Sequence, residues 1–274
     1  FITNCPTLAH GGVNNWGAAF LPSHCQGTPI GNASLHASKI SVKHIANPRI
    51  GPDLQREQLD ILNTLNRDFN NTAGNDPALE GRLNSFELAY RMQTSMPEIQ
   101  NLSGETPTTR RLYGIDDPVT EDFGRQCLMA RRFLERGVRF VQVTHSDSYV
   151  QWDQHGNLYQ GHTKNAAEVD RPIAGFLSDL KSRGLLDDTL VIWTGEFGRT
   201  AMNEERNGSK FLGRDHHPHC YSMWMAGGGV KKVHVHGATD ELGYRIVKDP
   251  VGVHDLQATI LHLMGIDHER LTYP

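Results

Sequence analysis

Three short stretches carry the residue types that do chemistry. Asp153 and His155 stand two apart in Trp152-Asp153-Gln154-His155-Gly156-Asn157, with His162 close behind. Glu196 and Arg199 follow in Gly195-Glu196-Phe197-Gly198-Arg199-Thr200, and Asp215, His216 and His217 are consecutive between Gly213 and Pro218. Carboxylate oxygens and imidazole nitrogens form the mixed donor set that holds ions such as Zn, Mn or Fe. In a loop, Asp153 and His155 escape helical periodicity and can turn toward one ion. Adjacent side chains diverge, so of Asp215 and His216 one can ligate while the other orients it or contacts substrate. The planar fork of Arg199 suits two oxygens of a phosphate or sulfate; a salt bridge to Glu196 across the turn is its alternative use.

The chain has 15 histidines in 274 residues, and 11 of them lie between His145 and His268. His145, His234, His236, His254, His262 and His268 occur singly and read as surface or hydrogen-bonded imidazoles, leaving His155 and His216 as ligands with His217 and His162 as further candidates. A net charge of −4, without a long Lys/Arg run, argues against a nucleic-acid partner. No apolar run reaches the roughly 18 residues a spanning helix requires. The four cysteines are far apart and include no C-x-x-C pair, which excludes a zinc ribbon or redox dithiol. The chain starts Phe-Ile-Thr, which reads as a piece of a longer or processed product.

The elements that must position these residues follow from periodicity. Residues 1–52 are rich in Gly, Asn, Pro and Ser and read as loop. Two helices follow between 53 and 96, the second opened by Asp76-Pro77, and 97–119 reads as another loop. From Thr120 helix and strand alternate. A helix capped by Thr120 carries Phe123, Cys127, Ala130, Phe133 and Leu134 on its inner stripe and stops at Gly137, before the strand 139–144. A second helix runs from Ala166 to about Gly184, before the strand 189–194. A strand at 221–226 and a helix from Leu256 to Met264, capped by Asp255, complete the pattern. Apolar strands alternating with amphipathic helices predict an α/β fold with mainly parallel pairing, in which ligands bind beyond the C-terminal strand ends. Residues 1–119 then form an irregular and helical lead-in packed on the core, and 120–274 the site-bearing α/β part of the same domain.

The segments GFLSDLKSRGLLDDTLVIWTGEFGRT, GRDHHPHCYSMWMAGGGVKK, HGATDE and VHDLQATILHLMGID, with WGAAFLPSHCQGTPI earlier, resemble the sulfatase-like "domain of unknown function 1501" family of bacterial proteins, a branch of the alkaline phosphatase superfamily. The resemblance implies an alkaline-phosphatase-like, mainly parallel sheet flanked by helices, and one or two divalent ions (Zn, Mn, Ca or Mg) at the strand ends. It also implies hydrolysis of small-molecule or polysaccharide sulfate or phosphate esters and export to the periplasm or beyond. By motif, Asp153 and His155 resemble one ligand pair, Glu196 the Asp of the superfamily's Asp-His-Gly, and His216 or His217 the later metal His. Arg199 and Asp215 then take catalytic roles. Phe197 stands where the His of Asp-His-Gly would be, so one ion site lacks a nitrogen ligand, and the nucleophile region of the longer family members lies upstream of Phe1. A non-catalytic metal- or anionic-glycan-binding protein on the same fold is the alternative.

Overall fold

In the computed structural model the described residues are 2–3, 15–19, 21, 25–30, 36–39, 47–74, 76–146, 151–204 and 212–272. Most of the loop expected over 1–52 lies outside them. The chain divides into two compact units, Phe1–Gln151 with Ala167–Phe176, and Trp152–Ala166 with Leu177–Pro274.

In the first unit a two-residue strand β1 (Ile2–Thr3) pairs in parallel with β2 (Val143–Thr144). Helix α1 (Pro52–Ala73) and helix α2 (Pro77–Gln100) both open on the prolines that a first helical turn tolerates, since its N–H groups lack partners anyway. The 97–119 segment is not simply loop. Pro97 sits inside the last turn of α2, and a short helix α3 (Pro107–Leu112) follows, capped by Thr106, whose hydroxyl accepts from the Thr109 N–H at 3.1 Å. Helix α4 (Glu121–Glu135) buries Phe123, Cys127, Ala130 and Phe133 of the expected inner stripe, whereas Leu134 is only half-buried. Its expected cap is otherwise engaged, because the Thr120 hydroxyl donates to the Gly114 carbonyl at 2.7 Å. The core joins Met96 and Ile99 of α2 to Met129, Ala130 and Phe133 of α4, with Ile30 and Ala37 from the lead-in and Phe176 against it.

Helix α5 (Leu158–Ser182) begins eight residues before the expected Ala166. Its 167–176 stretch belongs to the first unit and its two ends to the second. In the second unit β3 (Val191–Trp193) lies within the run expected to be a strand, followed by β4 (Gly198–Arg199), β5 (His216–His217), β6 (Trp224–Ala226), β7 (Ala238–Thr239), β8 (Ile246–Lys248) and helix α6 (Val253–Leu263). Asp255 is the third residue of α6 rather than its cap, and its carboxylate accepts the Gly252 N–H at 2.8 Å.

The expectation of mainly parallel pairing needs correction among the described residues. β3 and β6 are antiparallel, Val191 opposite Ala226 and Trp193 opposite Trp224, as are β4–β5 and β7–β8; only β1–β2 is parallel. The reason lies in the connection. A parallel return needs a long crossover, usually a helix, whereas the described residues between β3 and β6 hold only β4 and β5. The architecture is thus mixed helix and short strands, and no described helix is long and apolar enough to cross a membrane.

Candidate metal centre

The site is built in the second unit from one loop and one strand pair. The loop 152–156 lies between two residues in the left-handed region, Gln151 (φ 32°) and Asn157 (φ 53°), and Asn tolerates that conformation better than most residues. β4 and β5 pair so that Arg199 lies opposite His216 and Gly198 opposite His217. The pairing extends through Thr200 N–H to the Asp215 carbonyl at 2.9 Å and through the bridge between Glu204 and Gly213. Two backbone bonds then stitch this ribbon to the loop: Arg214 N–H to the Gln154 carbonyl at 3.1 Å and Leu158 N–H to the Leu212 carbonyl at 3.3 Å. Gly213 permits the approach, since a Cβ there would collide with the His155 carbonyl group and the Gly156 nitrogen.

Three predicted residues converge on that scaffold. His155 Nε2 lies 3.0 Å from Asp153 Oδ1 and 3.2 Å from His216 Nε2, and His216 Nε2 lies 2.9 Å from the same Asp153 oxygen. The Arg199 Nη2 also donates to Asp153 Oδ1, and its Nη1 donates to the Arg214 carbonyl at 3.2 Å. Burial alone would push the Asp153 carboxyl up, but hydrogen bonds from His216 and Arg199, with the positive charge of Arg199, hold it below its ordinary value. Asp153 is therefore an anion at neutral pH, as a ligand must be.

The remaining candidates are placed as follows. Asp215 is exposed beside His216, and its Oδ1 accepts the His216 backbone N–H at 2.7 Å. Glu196 is exposed in the turn between β3 and β4, outside both clusters of candidate ligand atoms found among the described residues. His217 is buried and faces elsewhere: its Nε2–H donates to the Tyr244 carbonyl at 2.7 Å and its ring stacks on Tyr244 at 4.6 Å. His162 sits in the first turns of α5 with its ring edge-on to Trp152 at 5.4 Å, also outside the clusters, and burial pushes it below its ordinary value. Phe197 packs its ring 4.7 Å from that of His216.

Glu204 is the participant that sequence reasoning did not single out. Its Oε2 lies 2.5 Å from His155 Nδ1, across 49 residues, and both side chains are more than four-fifths buried. No periodicity or spacing marks it; only the β4–β5 ribbon brings it to the loop.

The donor geometry fits a divalent ion. Donors at about 2.1 Å from a shared ion lie about 3.0 Å apart at right angles and about 3.4 Å apart at a tetrahedral angle. The separations of 2.9, 3.0 and 3.2 Å among Asp153, His155 and His216 fall at the lower end of that window. A second cluster of candidate ligand atoms joins His155, Glu204 and Asp215.

Fold and site together define a mixed helix-and-strand protein with an imidazole–carboxylate cluster of metal-ligand type. The chain belongs to the family described as "Protein of unknown function (DUF1501)", which it matches over residues 1–274. Among characterised proteins it is similar to the lipoteichoic acid synthase of Staphylococcus saprophyticus subsp. saprophyticus, with 30% identity over 107 residues. That match covers 39% of this chain and 16% of the synthase, so it spans about a sixth of the relative's length. No solved structure matches the chain.

Proposed function

We propose that this chain carries the cation-binding part of a metal-dependent hydrolase of sulfate or phosphate esters. The observation that supports it most is the convergence of Asp153, His155 and His216 onto mutual distances of 2.9 to 3.2 Å from segments more than 60 residues apart. Similarity to a protein named for lipoteichoic acid synthesis adds support from the enzyme side. The finer fold reading, an alkaline-phosphatase-like core, rests on the sequence resemblance alone.

In this reading Asp153, His155 and His216 hold one divalent ion. Such an ion supplies Lewis acidity toward an ester oxygen and lowers the pKa of a bound water. Arg199 holds Asp153 ionised through one arm of its fork and presents positive charge to an approaching sulfuryl or phosphoryl group. Asp215, exposed next to His216, orients a water or substrate hydroxyl by accepting its hydrogen bond.

A second reading, a non-catalytic binder of metal or anionic glycan, is favoured by Phe197, whose apolar ring occupies the neighbourhood of His216 where the resemblance expects a second-site histidine. Metal analysis and calorimetry with Zn²⁺ and Mn²⁺ test the site: the unaltered chain binds about one ion, and Asp153→Ala and His216→Ala lose it. Unchanged stoichiometry in both variants overturns the assignment. Aryl phosphate and aryl sulfate turnover by the metal-loaded protein separates the readings, since tight binding of a sulfated polysaccharide without turnover selects the second.

A further inference from the structure

We propose that Glu204 is a positioning residue that sets the tautomer and ring orientation of His155; the inference rests on the metal reading above and deepens it. An ionised carboxylate only accepts hydrogen bonds, so the 2.5 Å contact requires the proton of a neutral His155 to sit on Nδ1. Nε2 is then left with its lone pair, and that lone pair points at Asp153 Oδ1, 3.0 Å away, and at His216 Nε2, 3.2 Å away. In the metal-free chain the His216 Nε2–H, 2.9 Å from Asp153 Oδ1 and 3.2 Å from His155 Nε2, fills this space, and a divalent ion would take that proton's place among the three donors. Glu204 therefore commits His155 to the form that ligates, at the nitrogen that faces the other two donors.

The alternative, that Glu204 is itself a ligand in the cluster with His155 and Asp215, is disfavoured by distance. Two donors sharing an ion at about 2.1 Å lie about 3.0 Å apart or more, whereas His155 Nδ1 and Glu204 Oε2 are in direct hydrogen-bond contact, closer than that. Asp215 Oδ1 is moreover already engaged by the His216 backbone N–H. The bond is also protected: side-chain exposure is 17% for His155 and 15% for Glu204, so water competes weakly for either partner. The backbone of Glu204 is fixed as well, through the paired bonds with Gly213 at 2.9 and 3.3 Å.

The test uses the full chain with histidine labelled with ¹⁵N. In the metal-free protein, long-range ¹H–¹⁵N spectra should show His155 protonated at Nδ1 and bare at Nε2, and Glu204→Ala should shift the population toward the Nε2–H form that free imidazole prefers. By calorimetry with Zn²⁺, Glu204→Ala should weaken binding about 10- to 100-fold at unchanged stoichiometry, with Glu204→Asp restoring part of it. Glu204→Gln, near-isosteric, serves if the alanine variant does not fold. Wild-type affinity and an unchanged His155 tautomer in a folded variant overturn the positioning role and leave the metal reading standing. Loss of the ion altogether at saturating Zn²⁺ makes Glu204 a ligand and likewise overturns it. No Zn²⁺ binding by the unaltered chain overturns the metal reading, and this proposal with it.

Discussion

Arg199 and His216 face each other in register across the β4–β5 pair, and both reach the same carboxylate oxygen of Asp153. A guanidinium and a candidate ligand thus share one anchor, and a bound cation must share it with them. Because the Asp153 side chain is 47% exposed, solvent screens the Arg199 contact, which is worth at most about 1 kcal/mol. Arg199→Ala is expected to tighten Zn²⁺ binding by no more than about fivefold, the equivalent of that energy. Binding of inorganic phosphate or sulfate to the metal-loaded protein should be lost in the same variant. Calorimetric titration of each ligand separates the two effects, and a variant that binds phosphate as well as the wild type removes Arg199 from the anion site.

Gly213 offers a steric test of the scaffold. Any Cβ at this position meets the carbonyl group of His155, whereas one at Gly195, in the exposed turn before β4, meets nothing nearer than the Phe197 carbonyl oxygen at 3.7 Å. Gly213→Ala should destabilise by about 1 to 3 kcal/mol, the usual cost of overpacking, and displace His155 from the other donors. Gly195→Ala should leave metal binding intact. Equal Zn²⁺ affinity in the two variants would show that the 213–216 segment does not set the position of His155.

How far the sequence discloses this site depends on which interactions are local. Asp153, His155 and His216 were legible because donor types at loop positions announce themselves, and the inner stripe of α4 was legible because its period is 3.6. Glu196 looked equivalent by motif, yet the backbone leaves it exposed in the turn, a direction that residue type does not encode. Glu204 was invisible for the opposite reason, as its partner is 49 residues away and only the ribbon aligns them. The antiparallel pairing of β3 with β6 was missed because two apolar strands read alike in either direction, and the character of their connection decides. His217 illustrates the same limit: next to a candidate ligand in the chain, it points the other way along the strand and is buried against Tyr244.

His162 predicts a pH dependence of stability. Burial holds its folded value below the roughly 6.5 of a free imidazole, so between those two values the unfolded chain binds the additional proton. The contribution of the neutral ring is therefore fully present above about pH 7 and declines as pH falls through 6.5 toward the folded value. Denaturant unfolding at pH 7.5 and 5.5 should show a loss on acidification that shrinks in His162→Gln. That variant will be less stable at both pH values, because the edge contact with Trp152 is lost, so the difference between the two conditions is the quantity that decides. An identical difference in both proteins would assign the acid sensitivity to other groups.

The first unit holds a second dependence on charge, of a different kind. Arg131 of α4 has a side chain only 4% exposed, and its two terminal nitrogens reach Glu105 at 2.8 Å and Glu135 at 2.7 Å. Glu105 is 11% exposed and also receives Arg132 at 3.2 Å. Removing one partner of such a group costs more than the group as a whole contributes, because a carboxylate stays behind with its solvation already lost. Arg131→Met should therefore destabilise, but by less than the roughly 3 to 5 kcal/mol of a fully unpaired buried charge, because Arg132 still reaches Glu105 at 3.2 Å and Glu135 is 32% exposed. Adding Glu105→Gln should recover part of the loss, since the residual charge is what makes the single variant costly. Arg91→Ala, which breaks the exposed pair with Glu87 at 3.4 Å, should change stability by less than about 1 kcal/mol. Chemical denaturation of the wild type, Arg131→Met, Glu105→Gln and the double variant measures the coupling; if the double variant falls below Arg131→Met by the full cost of Glu105→Gln alone, the two sites are independent and the buried-charge account of this cluster is wrong.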